Sequence, residues 1–149
     1  MATGDYYYEL ARRALIGDLD TIEADVKVAL LDESHTPAPS TDEVWNDVSA
    51  DEITNTGAND TGYTAGGQSL SNVSVSRSGS VTSFDADDVV WSNSTIEAGY
   101  AVVYDDTPAS DSDKTLVLII DFEGEESSFD DEFTIDWDAA GISDIDLDP

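Results

Sequence analysis

From position 68 onward the apolar residues arrive in short runs, 68–75, 81–84, 89–91, 99–104, 116–122 and 133–137, each closed by Gly, Ser, Asn or Asp. A helix needs ten or more residues to present a buried stripe, so runs of this length between turn formers read as strands. Upstream, Val26, Val28 and Leu30 alternate with Lys27, Ala29 and Leu31, the period of a half-buried strand. Seven or eight such strands predict an all-β fold, an antiparallel β-sandwich of jelly-roll or Ig-like type. Residues 116–120 are continuously apolar, as in a central strand covered on both faces. Phe133, Ile135 and Trp137 alternate with Thr134 and Asp136, giving one dry and one wet face. By the same alternation Trp91 and Trp137 belong to the core.

One segment departs from this period. Residues 5–16 place Tyr7, Leu10, Ala11, Ala14 and Leu15 at helical spacing, with Thr3 or Asp5 as N-cap and Gly17 just past the end. The expected organisation is a single domain over 1–142 that includes this helix. An acidic tail, 143–149, follows, and only Ile145 and Leu147 give it reason to dock, so it is expected to be loosely held. Residues 54–67 read as a long loop, or two turns around a short edge strand.

Charge sets the second constraint. The chain carries 34 Asp and Glu against 5 Lys and Arg, a formal net charge of -29 over 149 residues. Acidity on this scale also marks disordered chains, but 40% hydrophobic and 9% aromatic residues are enough to build a core. Self-repulsion opposes compaction unless salt screens it, and the Debye length falls to about 3 Å at 1 M. The expectation is a salt-adapted protein. Binding to nucleic acid or to anionic lipid needs clustered Lys and Arg, and only Arg12 and Arg13 are adjacent. Their place late in the helix fits the negative end of its dipole. The start lacks the basic and apolar runs of a secretory signal, and no run approaches the roughly 20 residues of a membrane span. An intracellular chain without a membrane partner is expected.

The inventory for catalysis is thin. There is no cysteine, and His35 is the sole histidine, expected as an exposed loop residue. GYTAGG, 62–67, lacks the GK[ST] ending of a phosphate loop, and paired carboxylates at this density carry no specificity. No catalytic residue is assigned and no cofactor is required. The candidate cation site is Asp85, Asp87 and Asp88, whose hard oxygens suit Ca²⁺ or Na⁺, against the reading of an acidic turn on a solvated surface. Residues 105–114 read as a polar hairpin loop. Asn59, Asn72 and Asn93 lie in N-x-[ST] sequons. The candidate partner interface is Tyr6, Tyr7, Tyr8 and Trp45: three adjacent tyrosines cannot all face one side of a helix, and aromatic anchors dominate interfaces.

Five segments in order, GYTAGGQSL (62–70), FDADDVVW (84–91), STIEAGYAVVYDD (94–106), LVLIIDFEGEESS (116–128) and FTIDWDAAGI (133–142), together with the opening ALIGDLDTIEADVKVALL, resemble a family of small virion structural proteins of tailed viruses. The family is usually less acidic, and Glu97, Ala98 and Gly99 stand where a small or basic residue often precedes the Tyr-Ala-Val strand. The resemblance implies a non-enzymatic particle component in many symmetric copies, here of a virus of haloarchaea, assembled in the cytoplasm of a halophilic host. Its implied partners are other virion proteins, the major capsid protein first, with a homo-oligomer of three or five copies decorating the capsid as a turret or cement protein. A tail tube, baseplate or adaptor protein, and a receptor- or carbohydrate-binding module, are the alternatives.

Overall fold

In the computed structural model, which describes residues 2–16, 25–57 and 60–146, the alternation at Val26–Leu31 becomes strand β2. It is buried more completely than its pattern suggests. Val26, Val28 and Leu30 enter one apolar cluster, while Ala29 and Leu31 enter a second on the opposite face. The sheet therefore has a core on each side, and the expectation of a half-buried strand is corrected.

Around β2 the chain runs β1 (Asp5–Tyr6), α1 (Tyr8–Ile16), β2, α2 (Trp45–Val48), a 3-10 turn (Ser49–Asp51), α3 (Ile53–Thr56), β3 (Asp60–Thr61), β4 (Gln68–Ser69), β5 (Ser74–Ser78), β6 (Val81–Asp85), β7 (Val89–Asp105), β8 (Leu116–Ile135) and β9 (Ser143–Asp146). The larger antiparallel sheet has the order β1-β8-β7-β2-β4, with β3 also paired to β7; the smaller has the order β5-β6-β9. Phe84 of β6, Ile142 and Trp137 share the first cluster with Leu30 and Leu118 of the larger sheet, so the two sheets close on one core. Trp45 and Val48 of α2 cover the second cluster with Tyr7. The fold is an all-β antiparallel sandwich with a short N-terminal helix, as the pattern predicts.

Two pairs of expected strands are fused. Segments 89–91 and 99–104 are one strand, β7, and 116–122 and 133–137 fall largely on one strand, β8. They pair along almost their whole length, from Val89 opposite Ile135 to Tyr104 opposite Leu116. The polar stretches between the apolar runs are not turns. They are bulged ladder, with register breaks and positive φ at Asn93, Glu123 and Asp130; on β7 Ile96 and Ala98 still face the core, whereas the facing stretch of β8 is mostly exposed.

Other boundaries also move. Asp5 and Tyr6 pair with Ile119 and Leu118 as β1, so the helix starts at Tyr8. Its expected stripe is corrected: Leu10 is buried, but Ala11 is exposed and Leu15 is 87% exposed. Residues Ser143–Asp146, expected as part of a loose tail, are strand β9, paired to β6 from Phe84 opposite Ser143 to Val81 opposite Asp146. The expected short edge strand within 54–67 is β3, opposite Ile96 and Thr95 of β7.

Candidate interaction surface

The GYTAGG segment is held by a buried carboxylate. Glu52 lies at the start of α3; its Oε1 accepts hydrogen bonds from the Tyr63 hydroxyl at 2.8 Å and the Gly66 N–H at 2.6 Å, and its Oε2 accepts one from Thr54 at 3.2 Å. Tyr63 in turn accepts from the Leu30 N–H at 3.0 Å, and Tyr104 donates to the Gly66 carbonyl at 2.6 Å. Burial, reinforced by the Glu52 charge, pushes the Tyr63 hydroxyl far above its ordinary pKa, and burial does the same for Tyr104. Both phenols stay protonated and act as fixed donors. The network ties loop 62–67 to β2 and β7; it faces the core and positions backbone.

The carboxylates of the candidate cation site are engaged separately. Asp85 Oδ1 accepts from the Ala86 N–H, Asp87 Oδ2 from the Asn72 side chain, and Asp88 Oδ1 from the Trp137 N–H. The Trp137 indole donates to the Asp87 carbonyl at 3.0 Å. Each carboxylate fixes a different piece of the corner between β6, β7 and the end of β8. Among the described residues, no three His, Asp or Glu side chains converge to hold a metal ion.

Of the four expected interface aromatics, two are committed to the core, which corrects that expectation. Tyr7 is fully buried, and Trp45 stacks on Tyr104 with ring centroids 4.4 Å apart. Tyr6 is half-buried and donates to the Ser143 carbonyl. Only Tyr8, 68% exposed, is available to a partner. His35 is also corrected: it is buried, with Nδ1 2.8 Å from Asp51 Oδ2 and its ring edge-on to Tyr100. The HTPAP loop folds this side chain inward against the 3-10 turn that follows α2 and against Tyr100 of β7, which no local pattern announces. Loop 106–115 is polar as expected, and Lys114 anchors it to Asp106 and Asp111. Asn72 and Asn93 both sit at positive φ; Asn59 lies outside the described residues.

Two surface features remain. Along the outer side of β8, beyond its short pairing with β1, lies an open groove of about 630 Å³ lined by Asp121, Glu123, Glu126, Glu132 and Asp136 together with Phe133. On the same strand Phe129 is 81% exposed. The second feature is the β5–β6 hairpin. No Asp or Glu occurs between Asp60 and Asp85, although 34 of 149 residues are acidic, and every residue of β5 is exposed. Sequence reasoning aimed at catalytic and ligand motifs passed over this stretch. The signal that finds it is the local absence of the residue type that dominates everywhere else. Comparison with family models, with curated proteins and with solved structures returned no match.

Proposed function

We propose that this chain is a non-enzymatic structural protein of a virion, a capsid decoration or turret protein of a salt-adapted tailed virus that binds the capsid lattice as a symmetric oligomer. The observation that carries this reading is the use made of the five segments that resemble the virion family. They build and lock one scaffold: 84–91, 94–106, 116–128 and 133–142 supply β7, β8 and the corner fixed by Asp87, Asp88 and Trp137, and 62–70 is the loop clamped by Glu52. Their buried polar groups hold backbone in place, as expected of a building block rather than of a reaction centre. Exposed Tyr8 and Leu15 supply apolar anchors for a capsid surface on an otherwise carboxylate-rich body. One observation favours a tail component as the second reading. A subunit stacked in rings needs an apolar element that reaches its neighbour, and Phe129 is such an element. Immunogold or fluorescent labelling of intact particles separates the two. Signal distributed over the capsid is expected; signal confined to the tail overturns decoration in favour of the second reading, and loss of the protein from washed particles overturns both.

A further inference from the structure

A strand bends where bulges break its register, and the inside of a tight bend is a concave surface. The register of β7 against β8 slips between Trp91 and Ser94, between Ser94 and Ile96, and between Ala98 and Tyr100. Opposite these breaks Glu123, Gly124 and Asp130 of β8 take positive φ. The result is a sharp fold in β8. A straight strand would hold Phe122 and Phe133 roughly 35 Å apart, but their ring centroids lie 6.2 Å apart, edge to face. Both arms of the fold, 120–123 and 132–136, line the open groove of about 630 Å³, with Glu126 and Ser127 between them.

Lining and rim differ in chemistry. The buried lining residues Ile120, Phe133 and Ile135 are apolar, and Phe122 is partly buried beside Phe133. Around them stand Asp121, Glu123, Glu126, Glu132 and Asp136, all exposed. Asp121 accepts a hydrogen bond from the Glu123 N–H, and Glu132 accepts one from the Thr134 hydroxyl. Among the described residues, none of the five carboxylates meets a lysine or arginine.

An apolar surface inside a ring of carboxylates complements a group that is apolar along its stem and cationic at its tip, which is the side chain of arginine or lysine. A guanidinium can also lie over a phenyl ring and take a carboxylate through two hydrogen bonds. The chain does not supply such a group. Its five Lys and Arg are engaged elsewhere: Arg12 and Arg13 with Glu9, Lys27 and Lys114 with Asp106, and Arg77 with the Gly79 carbonyl. A second copy would bring further carboxylates to a groove that already holds five, at a cost in repulsion. We propose that this groove docks a basic segment of a different protein, one that sets arginine or lysine side chains among the rim carboxylates and apolar residues against the phenylalanine pair. The inference rests on the groove alone and does not require the virion reading.

The probe is a short dye-labelled peptide of alternating arginine and valine, titrated with the purified full chain in molar sodium chloride and read by fluorescence anisotropy. At that salt exposed charges are screened beyond about 3 Å, whereas pairs set into a groove are screened less. Saturable binding of one peptide per chain is expected, and no binding of the counterpart with glutamate in place of arginine. Glu126→Lys and Glu132→Lys should each weaken binding at least about tenfold. Glu125→Lys makes the same change of charge on the same strand outside the groove, and should leave binding unchanged. All three positions are exposed, so circular dichroism is expected to match the wild type. Failure of the wild-type chain to bind the arginine peptide overturns the proposal. Equal weakening by Glu125→Lys also overturns it, since the peptide would then read total charge rather than the groove. Amide NMR spectra of the wild-type chain locate the contact independently: peptide-induced shifts are expected within 120–136 and at Ala2 and Thr3, and shifts confined to other segments overturn the proposal.

Discussion

At Gly67 a single hydrogen stands where any side chain would enter the backbone of a neighbouring strand. A Cβ at this position would lie 1.9 Å from the Val28 carbonyl oxygen and 2.7 Å from the Ala29 Cα, and φ is +79°. Neither neighbour is a side-chain end that can swing away; both belong to β2, the strand with a core on each face. Gly79, in the two-residue β5–β6 turn, has a similar φ of +62°, but nothing lies within 4 Å of its would-be Cβ. That is the first-position glycine of a type II′ turn, and only the conformational preference is at stake there. Gly79→Ala should therefore cost about 1 kcal/mol, whereas Gly67→Ala should cost at least about 3 kcal/mol, because a steric conflict with backbone is added to the same preference. Urea midpoints of the two variants in molar salt check this; equal shifts would mean that loop 62–67 does not press on β2 as described. The sequence offered GYTAGG as a weak phosphate-loop likeness, and the close approach of backbone is the physical reason for Gly62 and Gly67 in it.

Among the elements, Asp106 connects the end of β7 to both neighbours of that strand. Its Oδ2 lies 2.7 Å from Lys27 Nζ on β2, and its Oδ1 lies 2.7 Å from Lys114 Nζ at the foot of β8. Burial pushes the Asp106 carboxyl up, but the hydrogen bonds and charges of Lys114 and Lys27 outweigh it, and the pKa falls below the ordinary aspartate value. The hydrogen bond to Asp106 holds Lys114 above the ordinary lysine value. A lowered carboxyl stabilises the fold above its unfolded pKa and loses that contribution as pH falls through the folded one. A raised amine stabilises below its unfolded pKa and loses it as pH rises through the folded one. Asp106→Asn leaves two partly buried ammonium groups without their shared anion and should cost on the order of 3 kcal/mol. Thermal scans should show a constant deficit from about pH 5 to pH 9, shrinking below 3.8 and above 10.5. A deficit that keeps growing toward either extreme would contradict the clamp. The strands this clamp joins were only partly legible. The apolar runs of β7 and β8 marked where they meet the core, and Trp91, Trp137 and Leu116 are buried as expected. The β8 half of the ladder between those runs was not legible, since hydrogen-bonded backbone facing water requires no apolar period; on β7 the alternation of Ser94, Ile96 and Ala98, all buried, was there to be read. Burial of Trp45 and His35 was hidden for a related reason: it depends on α2 and the turn after it folding back over the sheet, and such tertiary packing leaves no local repeat.

For the molecule as a whole, the formal net charge of -29 is the term that no local feature offsets. Among the described residues the basic groups are already occupied: Arg12 and Arg13 bind Glu9, Lys27 and Lys114 bind Asp106, and Arg77 donates to the Gly79 carbonyl. Hydrogen bonding from Arg12, with that from Arg13, holds the Glu9 carboxyl down to about 2. The remaining carboxylates lie mostly on exposed strand faces and turns, among them Glu123, Glu125 and Glu126 on β8 and Asp111 and Asp113 in the hairpin loop. Their mutual repulsion acts over distances comparable to the screening length, about 3 Å at 1 M salt and about 10 Å at 0.1 M. Lowering the salt tenfold should therefore strain the elements that carry many carboxylates on few apolar contacts, first the exposed middle of β8 and then the smaller sheet with Asp144 and Asp146 on β9. The expected outcome is a fall in the thermal midpoint between molar and 0.1 M sodium chloride. Partial protonation should mimic salt: at 0.1 M, lowering the pH from 7 toward 5 removes some repulsion, and the midpoint should rise. A midpoint independent of salt over that range would show that the carboxylates are spaced widely enough not to need screening by ions, and the argument for a salt-adapted body would fail.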